Sequence, residues 1–358
     1  MNRVKRLMSN IDADAAVIVN GTTPFLDSVF WYLTEQRSGT FEGTIAIASE
    51  NGLDVIVNRL EETSARGGSG NIHVFETRDE REKMLKELLK GKKKIGMNAH
   101  SVSYAAAEYI KKVSGSSIVD ITKGIHDTIS VKDKNELSAI KKACKISSGT
   151  ASSIHKVLKE GMTEKDAAAW IDTDMRNSGA EGNAFDTIAA FGEYSAEPHH
   201  RPCERTLKKG DAALFDFGCK HSMYSSDLTR TMFFGKPSEI LKRAYKVVAE
   251  AKEAGMAKIA DGIPAKEADL AARELIDATE FKGMFIHSFG HGIGMDVHEG
   301  TSLSHLSKDM LKENMVVSAE PGIYIPGVGG IRIEDTVLVK KNGCESLTKF
   351  DQSLTVIQ

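Results

Sequence analysis

Residues 212–218 read AALFDFG and residues 227–234 read DLTRTMFF, and these two stretches decide the fold of the second part of the chain. Each is an apolar run of strand length, and turn-forming residues lie between them, which predicts two strands joined by a loop. Each stretch also contains one aspartate, Asp216 or Asp227. A buried carboxylate without a partner is costly or shifts its pKa. Two readings stay open here, a pair of hydrogen-bonded strand ends or a bound metal ion.

A histidine flanked by glycines follows at residues 290–294, GHGIG. Glycine on both sides of His291 frees the backbone and leaves space around the imidazole, as expected where an ion or a substrate approaches. A satisfied core histidine is the alternative. The glycines, and His298 seven residues later, favour a ligand role for His291.

Two glutamates complete the set. Glu320 ends an apolar run at a Pro-Gly turn, and Glu334 lies in the stretch GGIRIEDTV at residues 329–337. We predict a strand there, whose alternation places Arg332 and Glu334 on one face. Arg332 as the ion-pair partner of a nearby carboxylate is a further possibility. Four carboxylates and one imidazole suit a pair of divalent ions, Mn²⁺, Co²⁺, Fe²⁺ or Zn²⁺, better than a thiolate zinc site.

The ordered motifs DFG, SDLTRT, GHGIG, EPGIY and RIED resemble those of the pita-bread metallopeptidases. That family includes methionine aminopeptidase, aminopeptidase P and prolidase, with creatinase as a non-peptidase relative. The resemblance implies an α+β fold over the whole chain. Residues 128–358 would form the pita-bread catalytic domain, an antiparallel sheet covered by helices, and residues 1–127 a smaller creatinase-like α/β N-terminal domain.

The resemblance also implies the metal ligands, residue by residue. Asp216 would chelate one ion, Asp227 and Glu334 would bridge both ions, and His291 and Glu320 would complete the shell of the other. The expected cofactors are two divalent ions per subunit, first Mn²⁺ or Co²⁺, with Zn²⁺ or Fe²⁺ as alternatives. Such a pair supplies an activated water and stabilises the oxygens of the tetrahedral intermediate.

Three further residues, and Glu320 again, have expected roles toward the substrate. Glu320 would also act as proton shuttle, and His298 would hydrogen-bond the oxyanion or the scissile carbonyl. The alternative for His298 is the orientation of a metal ligand. His199 would face the leaving group, with His200 directly after it as the competing choice. Arg332 would orient Glu320 or Glu334, or contact the substrate.

The N-terminal domain favours the Xaa-Pro enzymes of this family over a bare methionine aminopeptidase. We therefore predict a prolidase-like enzyme that hydrolyses the bond between an N-terminal residue and proline in a dipeptide. Aminopeptidase P activity on longer peptides is the main alternative. Methionine aminopeptidase-like specificity, creatinase-like hydrolysis and a non-catalytic binding protein are weaker ones, the last two because relatives of those kinds have lost metal ligands.

Local patterns predict the other elements. A long helix is expected over residues 137–158, ended by Gly161, followed by a helix that Thr163 caps with Asp166 and that Gly179 stops. Two more helices are expected at 238–260 and 264–279. In the first part, the expected strands are 15–19, 44–48, 53–57 and 72–75, and the expected helices are 78–90 and 105–113.

Composition excludes several classes of protein. The 358 residues carry 47 Lys and Arg against 50 Asp and Glu, a net charge of -3, which argues against a nucleic-acid-coating surface. No apolar run is long enough to span a membrane, and we see no signal peptide. Four widely spaced cysteines favour a reduced, cytoplasmic chain. A proline-containing peptide is the expected partner, and a homodimer follows from the resemblance alone.

Overall fold

The computed structural model describes residues 2–37, 39–349 and 354–357. The chain divides into two compact units, residues 1–129 and 130–358. The first is a mixed sheet with helices, and the second combines mostly antiparallel strands with four long helices. The predicted α+β fold is therefore confirmed.

The first unit is built on a six-stranded sheet with the order β4-β3-β2-β1-β5-β6. Its strands are β1 Ala15–Val19, β2 Ile45–Ser49, β3 Gly52–Asn58, β4 Asn71–Phe75, β5 Lys94–Met97 and β6 Ser117–Asp120. Its helices are α1 Arg3–Asn10, α2 Ser28–Thr34, α3 Glu62–Ala65, α4 Arg78–Leu88, α5 Tyr104–Ser114 and α6 Thr122–Ile129. Strand β1 lies at the centre and is buried along its whole length, which explains its unbroken apolar sequence.

Four helices flank the sheets of the second unit. They are α7 Lys134–Ile154, α8 Glu164–Asn177, α9 Glu239–Met256 and α10 Lys266–Asp277. Helix α8 begins as predicted, because the Thr163 side chain accepts from the backbone N–H of Asp166 and the Asp166 carboxylate accepts from that of Thr163. Gly179 follows its end with a φ of 98°, a backbone conformation that glycine adopts without strain.

The end of α7 was predicted wrongly. The helix stops at Ile154, and a tight turn follows in which the N–H of Lys156 bonds the carbonyl of Ser153. Leu158 remains buried although it is no longer helical. The pattern of buried apolar residues therefore continues past the end of the helix. For this reason the apolar pattern could not predict the residue at which the helix ends.

The second unit contains fourteen strands among the described residues. They are β7 Gly182–Asn183, β8 Ile188–Phe191, β9 Ala212–Phe217, β10 Cys219–His221, β11 Tyr224–Ser225, β12 Leu228–Phe234, β13 Gly290–His291, β14 Ser302–Leu303, β15 Val316–Ala319, β16 Gly322–Ile325, β17 Gly329–Arg332, β18 Asp335–Lys340, β19 Gly343–Ser346 and β20 Val356–Ile357. The larger sheets have the orders β20-β12-β9-β8 and β15-β18-β19. Only β12 with β20 is a parallel pair among these described strands.

Strand register brings distant carboxylates to adjoining strand ends. Asp216 of β9 lies opposite Thr229 of β12 in an antiparallel pair that is buried throughout. The backbone N–H of Glu334, just before β18, bonds the carbonyl of Thr229 at 3.0 Å. The two sheets thus meet along β12, next to the residues that carry the charged side chains.

Two apolar cores hold these sheets in place. Residues of α7 and α8 pack with β9 and β12 in one core, which includes the fully buried Phe215 and Phe217. Residues of α9 and α10 pack with β15 to β18 in the other. Fully burying one such side chain stabilises the fold by roughly 1.5–3 kcal/mol, so the strand ends between the cores have firm support.

One expectation about strand position needs correction. Glu334 does not lie within a strand, because β17 ends at Arg332 and β18 begins at Asp335. Residues 333 and 334 form the break, and the N–H of Glu334 pairs with β12 instead. The side chains of Arg332 and Glu334 are nevertheless linked, because the hydroxyl of Thr229 accepts from Nε of Arg332 and donates to Oε2 of Glu334.

Among residues 2–37, 39–349 and 354–357, no helix combines the length and the apolar sequence that a membrane span requires.

Candidate metal centre

A cavity of about 320 Å³ lies in the second unit, within residues 185–334. Its lining includes every site residue named from the sequence: Asp216, Asp227, His291, Glu320, Glu334, His199, His298 and Arg332. His200 is absent from this lining. Of the two adjacent histidines, His199 therefore faces the cavity, and His200 is buried with both ring nitrogens beside carboxylates.

Five acidic and imidazole side chains converge in this cavity. The Nε2 atom of His291 lies 3.1 Å from Oε1 of Glu320 and 3.5 Å from Oδ2 of Asp227. One ligand atom each from Asp227, His291 and Glu334 lies within 4.8 Å of the others. Asp216 adjoins the group, since its negative charge raises the pKa values of Asp227, His291 and Glu334.

The backbone around these side chains is fixed by hydrogen bonds between loops. The N–H of Glu320 bonds the carbonyl of Phe289 at 2.8 Å, which ties the Pro-Gly turn to the segment before His291. Ser318 completes this tie, because its Oγ accepts from the N–H of His291 and donates to Oε1 of Glu320. Gly290 packs against Ser318 so closely that an added Cβ would lie 2.1 Å from the Ser318 carbonyl oxygen. This explains the glycine before His291.

The side chain of Arg332 lines the cavity and donates four hydrogen bonds. Its Nη2 donates to Oδ2 of Asp216, and its Nη1 donates to the hydroxyl of Tyr324 at 2.7 Å and to the carbonyl of Pro198 at 3.4 Å. Its Nε donates to Oγ1 of Thr229 at 3.1 Å. The ion pair of Arg332 with a nearby carboxylate is therefore formed, and its partner is Asp216 rather than Glu320 or Glu334. The arginine therefore neutralises one side of the acidic group.

Two polar residues were missed from the sequence, one in the cavity lining and one hydrogen-bonded behind it. His287 lines the cavity, and its Nε2 lies 2.8 Å from the hydroxyl of Tyr324. Burial lowers the pKa of His287 and raises that of Tyr324 to about 12, so the imidazole is neutral and the phenol protonated. Tyr324 lies in the EPGIY motif and His287 in the histidine-rich window, but neither signal alone distinguishes them from core residues.

Burial and mutual repulsion disfavour the charged forms of the central carboxylates. The pKa values of Asp227 and Glu334 are raised well above normal, first by burial and then by neighbouring carboxylates. Burial also raises the pKa of Asp216, against the opposing charge of Arg332. For Glu320, burial is outweighed by the hydrogen bond and charge of His291, and the pKa falls to about 2.

This donor set fits divalent cations. Oδ1 of Asp216 and Oε1 of Glu334 are buried and have no hydrogen-bond partner among the described residues. Each such orphaned carboxylate oxygen is costly unless a cation faces it. Oxygen donors with a single imidazole match Mn²⁺, Co²⁺, Fe²⁺ or Zn²⁺. These residues would hold the ions, and the positive charge of the ions would offset the repulsion between the carboxylates.

Comparison with known proteins agrees with this geometry. Residues 138–341 match the model of metallopeptidase family M24, and residues 1–128 match that of the creatinase/prolidase N-terminal domain. The chain belongs to metallopeptidase family M24. The resemblance to the pita-bread metallopeptidases is thereby confirmed, and the chain is a metallopeptidase with two family domains.

Several M24 relatives cover most of the chain. A Xaa-Pro dipeptidase of Pyrococcus furiosus is 39% identical over 269 residues, which span 75% of this chain and 77% of the relative. The structure of the prolidase from Pyrococcus horikoshii OT3 has a TM-score of 0.90 at 33% identity and covers 99% of this chain and 100% of that one. An X-Pro aminopeptidase from Thermotoga maritima MSB8 has a TM-score of 0.89 at 33% identity, covering 98% and 100%.

Metal binding to this M24 site should release protons. Because the pKa values of Asp227 and Glu334 are raised, the metal-free site holds protons that a cation must displace. Affinity should therefore fall as pH falls below these raised values, and proton release should grow. Titration calorimetry with Mn²⁺, in two buffers of equal pH but different ionisation enthalpy, measures this release.

The control for this titration is Glu345→Gln, which removes a carboxylate of β19 that pairs with Lys340 outside the cavity. We expect this variant to release as many protons as the wild type. Identical binding enthalpies in the two buffers at pH 6 would contradict the raised pKa values.

Proposed function

We propose that this M24 metallopeptidase is a dinuclear, metal-dependent prolidase that hydrolyses the bond before proline in dipeptides. The observation that carries the proposal is the convergence of Asp216, Asp227, His291, Glu320 and Glu334 in one cavity with the orphaned carboxylate oxygens. The relatives named Xaa-Pro dipeptidase and prolidase support the choice of substrate.

The proposed ligand assignment follows the family pattern. Asp216 would hold one ion, His291 and Glu320 would hold the other, and Asp227 and Glu334 would serve both. The contact of His291 with both Asp227 and Glu320 supports this division. When bound, the two ions activate water and polarise the scissile carbonyl. We propose Mn²⁺ or Co²⁺ as the ions, with Zn²⁺ or Fe²⁺ as alternatives.

Glu320 is the proposed proton shuttle. In the metal-free site, burial is outweighed by the hydrogen bond and charge of His291, which lower the pKa of Glu320 and keep its carboxylate ionised. An ionised carboxylate beside the proposed ions would be placed to take a proton from the attacking water and pass it to the leaving amine. The Ser318 hydroxyl donates to its Oε1 at 3.0 Å and orients the group.

His298 is the proposed hydrogen-bond donor to the scissile carbonyl. Its ring lies 4.1 Å from that of His291, centroid to centroid, at an angle of 76°. Partial burial, followed by the charge of His291, lowers the pKa of His298, which keeps it a neutral donor at pH 7. A neutral imidazole with one N–H can stabilise the developing oxyanion without repelling the cations. His199, which also lines the cavity, would face the leaving proline.

The shape of the cavity favours a small substrate with an apolar ring. About 320 Å³ is near the lower end of the roughly 300–1,000 Å³ range of ligand pockets. Phe185, Ile188 and Val297 line it beside the charged groups. Since the nitrogen of proline in the scissile bond carries no N–H, such a pocket selects the ring rather than a backbone donor.

Aminopeptidase P activity on longer peptides is the second candidate. The structural likeness to the X-Pro aminopeptidase from Thermotoga maritima supports it, because the two chains align over nearly their full lengths. Methionine aminopeptidase-like specificity and a non-catalytic role have no supporting observation of this kind.

A substrate test separates these candidates. Chelator-stripped protein should regain hydrolysis of Gly-Pro and Met-Pro when Mn²⁺ or Co²⁺ is added back alone. Cleavage of a Xaa-Pro-Xaa tripeptide without cleavage of the dipeptides would instead establish aminopeptidase P activity. Failure to cleave either substrate with metal bound would overturn both proposals.

We also propose a cytoplasmic, homodimeric enzyme. All four cysteines are free thiols, as is usual in a reducing compartment. Light scattering on a sizing column measures the oligomeric state, and a monomer mass near 38.9 kDa would contradict the dimer.

A further inference from the structure

A second group of metal-ligating side chains lies outside the cavity lining. It consists of Glu164, at the start of α8, and of His200 and Cys203, on the loop that follows residues 192–196. Oε2 of Glu164 lies 2.8 Å from Nε2 of His200 and 3.1 Å from Sγ of Cys203. None of the three lines the catalytic cavity. Carboxylate, imidazole and thiolate are the three side-chain ligand types of zinc proteins.

Each of the three side chains is already oriented by an outer hydrogen bond. Nδ1 of His200 contacts Oε2 of Glu197 at 2.9 Å, which aims Nε2 at the other two ligand atoms. Oε1 of Glu164 accepts from the N–H of Phe191 at 2.8 Å, and Sγ of Cys203 accepts from the N–H of Arg205 at 3.5 Å. A carboxylate behind a metal-ligating histidine is the usual outer arrangement of zinc sites.

We propose that Glu164, His200 and Cys203 form a mononuclear site for a thiophilic divalent cation such as Zn²⁺, separate from the catalytic pair. Bonds of about 2.0–2.3 Å to a tetrahedral ion place the ligand atoms roughly 3.5 Å apart, so each contact with Glu164 lengthens by less than about 1 Å. Glu164 and His200 are buried, and Cys203 is partly exposed, which gives the ion access and leaves a fourth position for water.

Protons balance in this binding step. Without the ion, Nε2 of His200 and Sγ of Cys203 each donate a hydrogen to Oε2 of Glu164. The cation replaces both hydrogens, which leave to solvent, and the remaining imidazole proton stays on Nδ1 facing Glu197. No electron transfer occurs. The raised pKa values of His200 and Cys203 agree with two protons held in the metal-free cluster.

The site adjoins the catalytic cavity through the chain itself. His200 follows His199, which lines the cavity, and Pro198 gives its carbonyl to Arg332. A cation on His200 and Cys203 therefore fixes the loop that presents His199. The site nevertheless uses none of the residues assigned to the catalytic ions.

Co²⁺ is the probe, because a thiolate bound to Co²⁺ gives a near-ultraviolet charge-transfer band and the catalytic site contains no cysteine. The wild-type protein should show the band on Co²⁺ titration, and added Zn²⁺ should remove it. Cys203→Ser should abolish it and bind one Co²⁺ fewer per subunit. Asp227→Asn should keep it, since this change affects the catalytic site alone.

Two further variants make the assignment specific. Cys344→Ser removes the other partly buried thiol and should leave the band unchanged. Glu197→Gln changes an exposed side chain that contacts Nδ1 of His200, the nitrogen facing away from the proposed ion, and it should raise the Co²⁺ concentration for half-saturation by roughly 10–100-fold. Absence of the band in the wild type, its survival in Cys203→Ser, or an unchanged half-saturation in Glu197→Gln would each overturn the proposal.

Discussion

Replacement of Asp227 by Asn, or of Glu334 by Gln, should lower kcat/KM for Gly-Pro by at least roughly a thousandfold, about 4 kcal/mol of transition-state stabilisation. Both carboxylates are buried, and each has one ligand atom within 4.8 Å of the other's and of His291's. An amide keeps the shape of the carboxylate but loses the negative charge that the two proposed cations would share. Stopped assays with Mn²⁺ at saturation measure the loss, and metal analysis shows whether the ions are still bound.

The fold should survive these two changes. In the metal-free protein, Glu334 has a pKa raised by burial and by neighbouring carboxylates, so its ionised form destabilises the folded state. At pH values above this raised pKa, Glu334→Gln removes the repulsion, and the melting temperature of the chelator-stripped variant should match or exceed that of the wild type.

A matched change outside the site provides the control for activity. Glu345→Gln neutralises a carboxylate of β19 that pairs with Lys340, and it should retain wild-type kcat/KM. Full activity of Asp227→Asn or Glu334→Gln would refute the two-metal assignment. Equal losses in all three variants would point to a general effect of charge removal.

Local sequence predicted those elements whose signals are local. The apolar runs of β9 and β12 and the capping box of Thr163 and Asp166 each depend on residues a few positions apart. The convergence of the predicted site residues could be anticipated because each motif carries its own charged residue at a strand end. Their resemblance to a known family then supplied the ordering that local patterns cannot.

Other features depend on contacts between distant residues and could not be predicted. The break before Glu334 exists because its N–H pairs with Thr229, 105 residues earlier. The partner of Arg332 is Asp216, which the alternation of one strand could not reveal. His200 was separable from His199 only once Glu164, 36 residues away, was seen to hold its ring.

A buried ion cluster explains how the chain tolerates the break beside Glu334. Asp335 accepts from Nη2 of Arg230 at 2.7 Å and from Nζ of Lys252, and all three side chains are buried. Nη1 of Arg230 also donates to the carbonyl of Glu334. Burial lowers the pKa of Lys252 to about 8. Burial alone would raise the pKa of Asp335, but the positive charges of Lys252 and Arg230 outweigh it and lower that pKa. Charges behind the strand thus fix the backbone that presents Glu334.

Replacement of His298 by Ala should lower kcat for Gly-Pro by about a hundredfold, the usual cost of removing one donor to a developing oxyanion. His298 lies against His291 on the cavity wall but is more exposed than the proposed metal ligands, and its lowered pKa keeps it neutral at pH 7. Metal content per subunit should stay at the wild-type value, since no carboxylate of the cluster is disturbed. Steady-state kinetics together with metal analysis of the same sample measures both quantities.

The comparison of these two quantities decides the role of His298. His155→Ala, an exposed histidine after the end of α7, is the matched control and should change neither. If metal content falls in proportion to kcat, His298 acts by orienting His291 and not by contacting the substrate. A loss confined to kcat, with metal retained, places its N–H on the reacting carbonyl, because only a donor used in the transition state lowers turnover without weakening the metal site.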